Sequence, residues 1–138
     1  MDAYLFSDAW AKACQIELNA SAAYRESAAT WEGAVVFIRR DAAGERGVYV
    51  DLWHGECREA RTLADGDVDR APYVINGEEQ AWADVLGGSL DPLVALALGR
   101  LKLVKGSLGA LAFHIRSSRE LVAAASRVQQ RGDHAAGV

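Results

Sequence analysis

The stretch Leu90-Asp91-Pro92-Leu93-Val94-Ala95-Leu96-Ala97-Leu98-Gly99-Arg100-Leu101-Lys102-Leu103-Val104-Lys105-Gly106 changes period in the middle, and that change decides the fold. Asp91 supplies an N-cap carboxylate and Pro92 suits the first helical turn. Leu93, Leu96 and Ala97 then form an apolar stripe until Gly99 stops the helix. From Arg100 to Lys105 cationic and apolar residues alternate, which is the period of a strand. A helix feeding a strand within one short segment implies a mixed domain. Downstream, Ser107 opens a helical pattern through Leu108, Leu111, Ala112 and Ile115. The Ser117-x-x-Glu120 spacing reads as a capping box that restarts the helix toward Val128. Upstream, residues 78–86 place Trp82, Val85 and Leu86 on one helical face before Gly87-Gly88. Tyr73-Val74-Ile75-Asn76 is a short strand closed by Gly77, and residues 64–70 show no period and read as a loop.

The N-terminal half begins with helices. Ser7 caps one that carries Trp10, Cys14 and Leu18 and ends at Asn19; Ser21 caps a shorter one through Ala29. Ala34-Val35-Val36-Phe37-Ile38 then reads as a strand buried on both faces and stopped by Arg39, Arg40 and Asp41. Residues 41–45 form a turn and residues 48–53 a second strand. His54-Gly55-Glu56 makes another turn, and residues 57–63 are a partly exposed third strand, so the first three strands meander antiparallel. The expected fold is α+β, with five strands and helices chiefly on one sheet face.

A chain of 138 residues allows one domain, placed at residues 1–128 with a polar tail over 129–138. Hydrophobic types make up 51% and charged types 25%, enough apolar material to build a core without metals or disulfides. The net charge of −4 argues against a nucleic-acid partner, whose binders need phosphate attraction. The two cysteines, Cys14 and Cys57, form no paired motif and read as reduced thiols. Without a secretory pattern at the N-terminus or a long apolar run, the expected location is cytoplasmic.

Motifs for chemistry are sparse. His54, Glu56 and Cys57 lie close in sequence, but they offer too few favoured ligands for a metal, and none is expected. No nucleophile elbow, cysteine-protease signature or phosphate-binding loop occurs, and no cofactor is expected. Tyr49, Asp51 and Trp53 share one strand face; in an apolar cleft an Asp and a Tyr of this kind move a proton on a steroid- or polyketide-like ketone, so Tyr49 and Asp51 are the acid/base candidates of an enzymatic alternative. Arg100, Lys102 and Lys105, with Arg39 and Arg40, suggest a basic edge that first of all protects the sheet against aggregation, with transient contact at an anionic membrane surface as the lesser alternative. What remains is an apolar interior generous for the polar content. Its candidate ligand-binding residues are Trp53, Trp82, Leu86, Leu93, Leu96, Leu103, Leu108, Leu111, Phe113 and Ile115.

The quoted segment resembles the sterol carrier protein family, in which an Asp-Pro helix start leads to a Gly-(Arg or Lys)-(Leu or Ile)-Lys-(Val or Leu)-x-Gly strand and an apolar C-terminal helix. Trp31-Glu32-Gly33 before the first strand, residues 48–52, and Val74-Ile75-Asn76-Gly77 followed by the helix of Trp82 agree with it. The resemblance implies a five-stranded, mostly antiparallel sheet of order 3-2-1-4-5 covered by helices around a hydrophobic cavity. It implies a non-catalytic carrier whose partner is an apolar small molecule or lipid such as a sterol, fatty acid or fatty acyl chain. Burying a methylene gains about 0.8 kcal/mol, so a sixteen-carbon chain contributes on the order of 12 kcal/mol against an association cost of about 4 to 15. Such a site needs polar groups only at its mouth.

Overall fold

In a computed structural model, which describes residues 2–136 and side chains through residue 132, five strands form one open sheet of order β3-β2-β1-β4-β5. The strands are β1 (Val35–Asp41), β2 (Gly44–Trp53), β3 (Glu56–Thr62), β4 (Tyr73–Glu78) and β5 (Leu101–Lys105). β1 pairs parallel with β4; every other pairing is antiparallel. The helices are α1 (Asp8–Asn19), α2 (Ala22–Ser27), α3 (Asp67–Arg70), α4 (Glu79–Leu86), α5 (Pro92–Ala97), α6 (Leu108–Phe113) and α7 (Ile115–Ala136). The expected α+β architecture and strand order are both present.

Alternation along β1 and β2 sorts the apolar residues onto two faces. Val35, Val48, Val50 and Leu52 join the main core beneath the helices, where Trp10, Leu18, Trp82, Leu86 and Leu111 also lie. Val36, Ile38 and Val74 form a smaller cluster on the other face, closed by Ala71 just after α3. Both faces of β1 are therefore buried, as its continuous apolar run predicts.

The free edge of β3 is covered by polar side chains of α1. Asn19 donates to the Cys57 carbonyl at 2.9 Å and accepts from its N–H at 2.8 Å. One turn earlier Gln15 accepts from Ala60 N–H and donates to the Arg58 carbonyl. Lys12 donates to the Ala60 carbonyl, and Asp8 accepts from Thr62 N–H. A helix thus supplies the partners that a neighbouring strand would otherwise provide. The hairpin tip at His54-Gly55 has two left-handed residues, φ 50° and 83°, and a Cβ at Gly55 would meet the Arg25 carbonyl at 2.5 Å.

Four expectations are corrected. The strand does not stop at Ile38: β1 runs to Asp41, and Arg39 is fully buried rather than part of a basic edge. Its guanidinium pairs with Asp41 at 2.9 Å and donates to the carbonyls of Asp2 and Leu5 at 2.7 and 2.9 Å. This clamp holds the N-terminal segment, where Phe6 takes a left-handed φ of 65° to turn its ring into the core. Residues 64–70 are not all loop, since α3 occupies 67–70. The helix after α6 restarts at Ile115, and Ser117 lies inside it, donating to the His114 carbonyl instead of capping. That helix also passes Val128, so the stretch from residue 129 read as a tail is helical to Ala136; residues 137–138 of that expectation lie outside the described residues.

Asp67 holds the β3–β4 connection. Its buried carboxylate accepts from Arg61, Arg70 and the Ala64 N–H, with the shortest contacts 2.6 Å, and these lower its pKa to about 2. A folded-state pKa below the unfolded value near 4 contributes stability that is complete above pH 4 and lost as pH falls toward 2. Asp67→Asn is expected to cost about 2 kcal/mol at pH 7. In urea titrations the gap to the parent protein should narrow between pH 4 and 2; a gap independent of pH would contradict this assignment.

Candidate functional site

The space between sheet and helices is filled unevenly. Toward α1, Phe6, Trp10, Phe37 and Trp82 pack ring against ring, with Phe6 to Trp10 at 5.1 Å, Phe6 to Trp82 at 5.2 Å and Phe37 to Trp82 at 5.7 Å. The Trp82 indole N–H donates to the Ile38 carbonyl at 2.9 Å, which fixes the ring at the centre of the sheet. Beyond Trp82 the covering helices are short. α5 and α6 have six residues each, and each buries a single residue, Ala95 and Leu111.

Under these two helices lies an apolar cavity of about 60 Å³. Its floor is Val35, Phe37, Leu52 and Ile75 of the sheet; α5 contributes Leu93 and Leu96, α6 Leu111, and α7 Leu121 and Val122. Trp31 and Tyr24 close one side, and Ser117 and Ser118 are the hydroxyls on α7. No Asp, Glu, His, Lys or Arg lines it. A second apolar void of about 40 Å³ lies toward α1 and shares Phe37, Trp82, Leu121 and Val122 as a common wall.

Of the ten residues singled out from sequence, Trp82, Leu93, Leu96 and Leu111 line the larger cavity and Leu86 the smaller void. Leu103 is half-buried on β5 and packs against the main core beside them. The remaining four lie apart. Trp53 is on the outer face of the sheet, stacked on His54 with the Arg58 guanidinium 4.9 Å from its ring. Leu108 and Phe113 point to solvent, Phe113 with 84% exposure, and Ile115 is half-buried at the start of α7. Trp31, Phe37, Leu121 and Val122 escape the sequence reading. The i, i+2 spacing of Val35 and Phe37 is the signal that places Phe37 inward once the covered face is known.

The acid/base pair of the enzymatic alternative is also on the outer face. Asp51 makes a two-point ion pair with Arg58 at 3.1 Å, and the Arg61 guanidinium sits 4.6 Å from the Tyr49 ring. Neither residue reaches the cavity. His54 pairs with Glu32 at 3.3 Å while Cys57 is buried on the helix side, so these neighbours in sequence do not converge. Burial pushes the Cys57 thiol up to about 12 and raises Cys14 further, which keeps both protonated and unreactive.

The open 3-2-1-4-5 sheet with its covering helices has structural counterparts. A crystal structure of sterol carrier protein 2 superposes with a TM-score of 0.80 at 40% identity, covering 88% of this chain and 97% of that one. The chain belongs to the sterol carrier protein family. A conserved hypothetical protein of Thermus thermophilus, described as possibly a sterol carrier protein, matches at TM-score 0.79 and 40% identity over 89% of this chain and 88% of that one. Sterol carrier protein 2 of Yarrowia lipolytica in its apo form shares the fold at 16% identity and TM-score 0.63, over 91% and 95% of the two chains. Neither a protein-family model nor a curated protein sequence matches. No helix among the described residues is long and apolar enough to cross a membrane.

The placement of the tryptophans makes a test of cavity occupancy. A fatty acid entering the cavity should change the emission of Trp31 and Trp82. Trp31→Phe and Trp82→Phe are each expected to remove part of the palmitate-induced change, and Trp53→Phe to leave it intact. A response carried by Trp53 would place the ligand on the outer face of the sheet.

Proposed function

We propose that this protein binds and carries an apolar lipid, a sterol, fatty acid or fatty acyl chain, in the cavity beneath α5 and α6, without catalysis. The observation that carries the reading is the cavity lining, aliphatic and aromatic with hydroxyls at Ser117 and Ser118 and no ionisable acid or base other than the Tyr24 phenol, whose pKa burial raises. Membership of a family named for sterol carriage supports it. The enzymatic alternative has no support in the geometry, because Tyr49 and Asp51 face Arg61 and Arg58 across the sheet from the cavity.

The size of the cavity adds a step to the mechanism. About 60 Å³ holds a few waters, whereas ligand pockets are typically on the order of 300 to 1,000 Å³. A lipid therefore enters by displacing the weakest part of the wall. α5 and α6 are that part, since each is anchored by one buried residue, while α1 is tied to β3 by four polar side chains. Outward movement of the two short helices enlarges the cavity, and rearrangement at Phe37 and Leu121 joins it to the void toward α1. Methylenes transferred from water offset the cost of that opening.

Leu111 tests both the site and its depth. Leu111→Trp puts a larger ring into the cavity, so palmitate affinity is expected to fall at least about tenfold, roughly the worth of two buried methylenes, with a smaller loss for decanoate. Calorimetric titration across chain lengths reads this. An overpacked core residue would instead cost about 1 to 3 kcal/mol of stability with equal effects on short and long chains.

A further inference from the structure

The larger cavity has two chemically different ends. Trp31 packs on Tyr73, which stands opposite Val35 at the start of β1, whereas Trp82 is bonded to the Ile38 carbonyl further along the same strand. At the Trp82 end the wall is aromatic and aliphatic and the smaller void lies beyond it. The hydroxyls belong to Tyr24 of α2 and to Ser117 and Ser118 of α7, two helices in contact with each other. They gather toward Trp31, whose ring meets that of His114 at 5.1 Å, and Ser117 donates to the His114 carbonyl at 2.9 Å. Tyr24 is 1% exposed, yet neither its phenol nor the Ser118 hydroxyl makes a hydrogen bond to any described residue. A polar group kept out of water without a partner is costly, and a ligand atom that pairs with it recovers that cost. The charged and titratable groups around this end stay outside the lining: His114 and the buried Cys57, with Arg116 and Arg119 exposed on α7 and Asp91 paired with Arg119.

We propose that Tyr24 and Ser118, with Ser117 beside them, form a head-group subsite for an uncharged oxygen, a hydroxyl or a ketone, and that the cavity selects such lipids over ionised fatty acids. The inference rests on the carrier reading and narrows its ligand. The lipid lies with its head toward Trp31 and its chain toward Trp82 and the smaller void. A hydroxyl both donates and accepts, so one ligand oxygen pairs with a phenol and a serine together; a ketone accepts from both. Burial raises the pKa of the Tyr24 phenol, which keeps it a donor. A carboxylate finds the same donors, but its charge enters an apolar lining that holds no cation to balance it. Selection therefore falls on the charge of the head and not on the length of the chain.

Calorimetric titration with dodecanol and laurate, two lipids of equal chain length, tests this at pH 8 and pH 5. At pH 8 dodecanol is expected to bind at least about tenfold more tightly than laurate. Toward pH 5 the gap should narrow, because a carboxyl titrating near about 4.3 gives up its charge more readily there. Dodecanol has no titrating head, and its affinity should stay the same at both pH values. Tyr24→Phe/Ser118→Ala removes the two unbonded hydroxyls and is expected to lose about tenfold in dodecanol affinity while laurate at pH 8 changes little. Ser118→Thr keeps its hydroxyl and should bind dodecanol like the parent protein. Equal affinities for the two lipids at pH 8, or an unchanged dodecanol-to-laurate ratio in the double variant, would overturn the subsite and leave the carrier reading standing. Tighter binding of laurate at pH 8 would overturn it too, assigning the head to Arg116 and Arg119 outside the cavity. Failure of both lipids to bind would overturn the carrier reading and the subsite with it.

Discussion

The hydrogen bond from the Trp82 indole to the Ile38 carbonyl holds one of three buried indoles at the middle of the interlayer space, and the uneven filling of that space follows from it. On one side of Trp82 the rings of Phe6, Trp10 and Phe37 close edge to face, an arrangement that contributes beyond simple burial. On the other side the covering elements are two helices of six residues that line the cavity with Pro92, Leu93, Leu96 and Leu111. Ring packing with a void of about 40 Å³ on the side of α1, and a cavity of about 60 Å³ on the side of the short helices, are two consequences of one placement. The first makes the domain stable without a disulfide; the second leaves room for a ligand.

Rigidity is distributed in the same way. α1 satisfies the open edge of β3 with four side chains, and the buried Arg39 binds the backbone of the N-terminal segment while pairing with Asp41. These contacts fix the half of the molecule that holds only the smaller void. The helices over the cavity lack comparable ties: α5 touches α7 through the Asp91 to Arg119 pair at its cap, and α6 ends at His114, whose ring meets Trp31 edge-on at 5.1 Å.

How far the sequence is legible depends on whether local pattern or tertiary placement carries the information. Leu93 and Leu96 are legible because Asp91-Pro92 and Gly99 bound their helix at both ends and fix its phase. Trp53 is misassigned because alternation tells which residues share a face and not which face the helices cover. Leu108, Leu111, Ala112 and Ile115 read as one stripe, but the break at His114 separates α6 from α7 and ends the common phase, so Leu111 alone of α6 is buried. Arg39 looks like a strand stop since its compensating groups, two carbonyls from the chain's beginning and the carboxylate of Asp41, converge only after folding. The wall contributed by Leu121 and Val122 is within reach of the helical period, yet which side of α7 faces the sheet is set by its packing on α1, α2 and α4.

In the proposed complex a lipid chain lies between the sheet and α5–α7. The most direct measurement is an isotope-filtered nuclear Overhauser experiment on ¹³C-labelled protein with unlabelled palmitate. Contacts are expected from the ligand methylenes to the methyl groups of Val35, Leu93, Leu96, Leu111 and Leu121, which surround the cavity. Contacts confined to Leu98, Val104 and other exposed residues, with the cavity methyls silent, would contradict it.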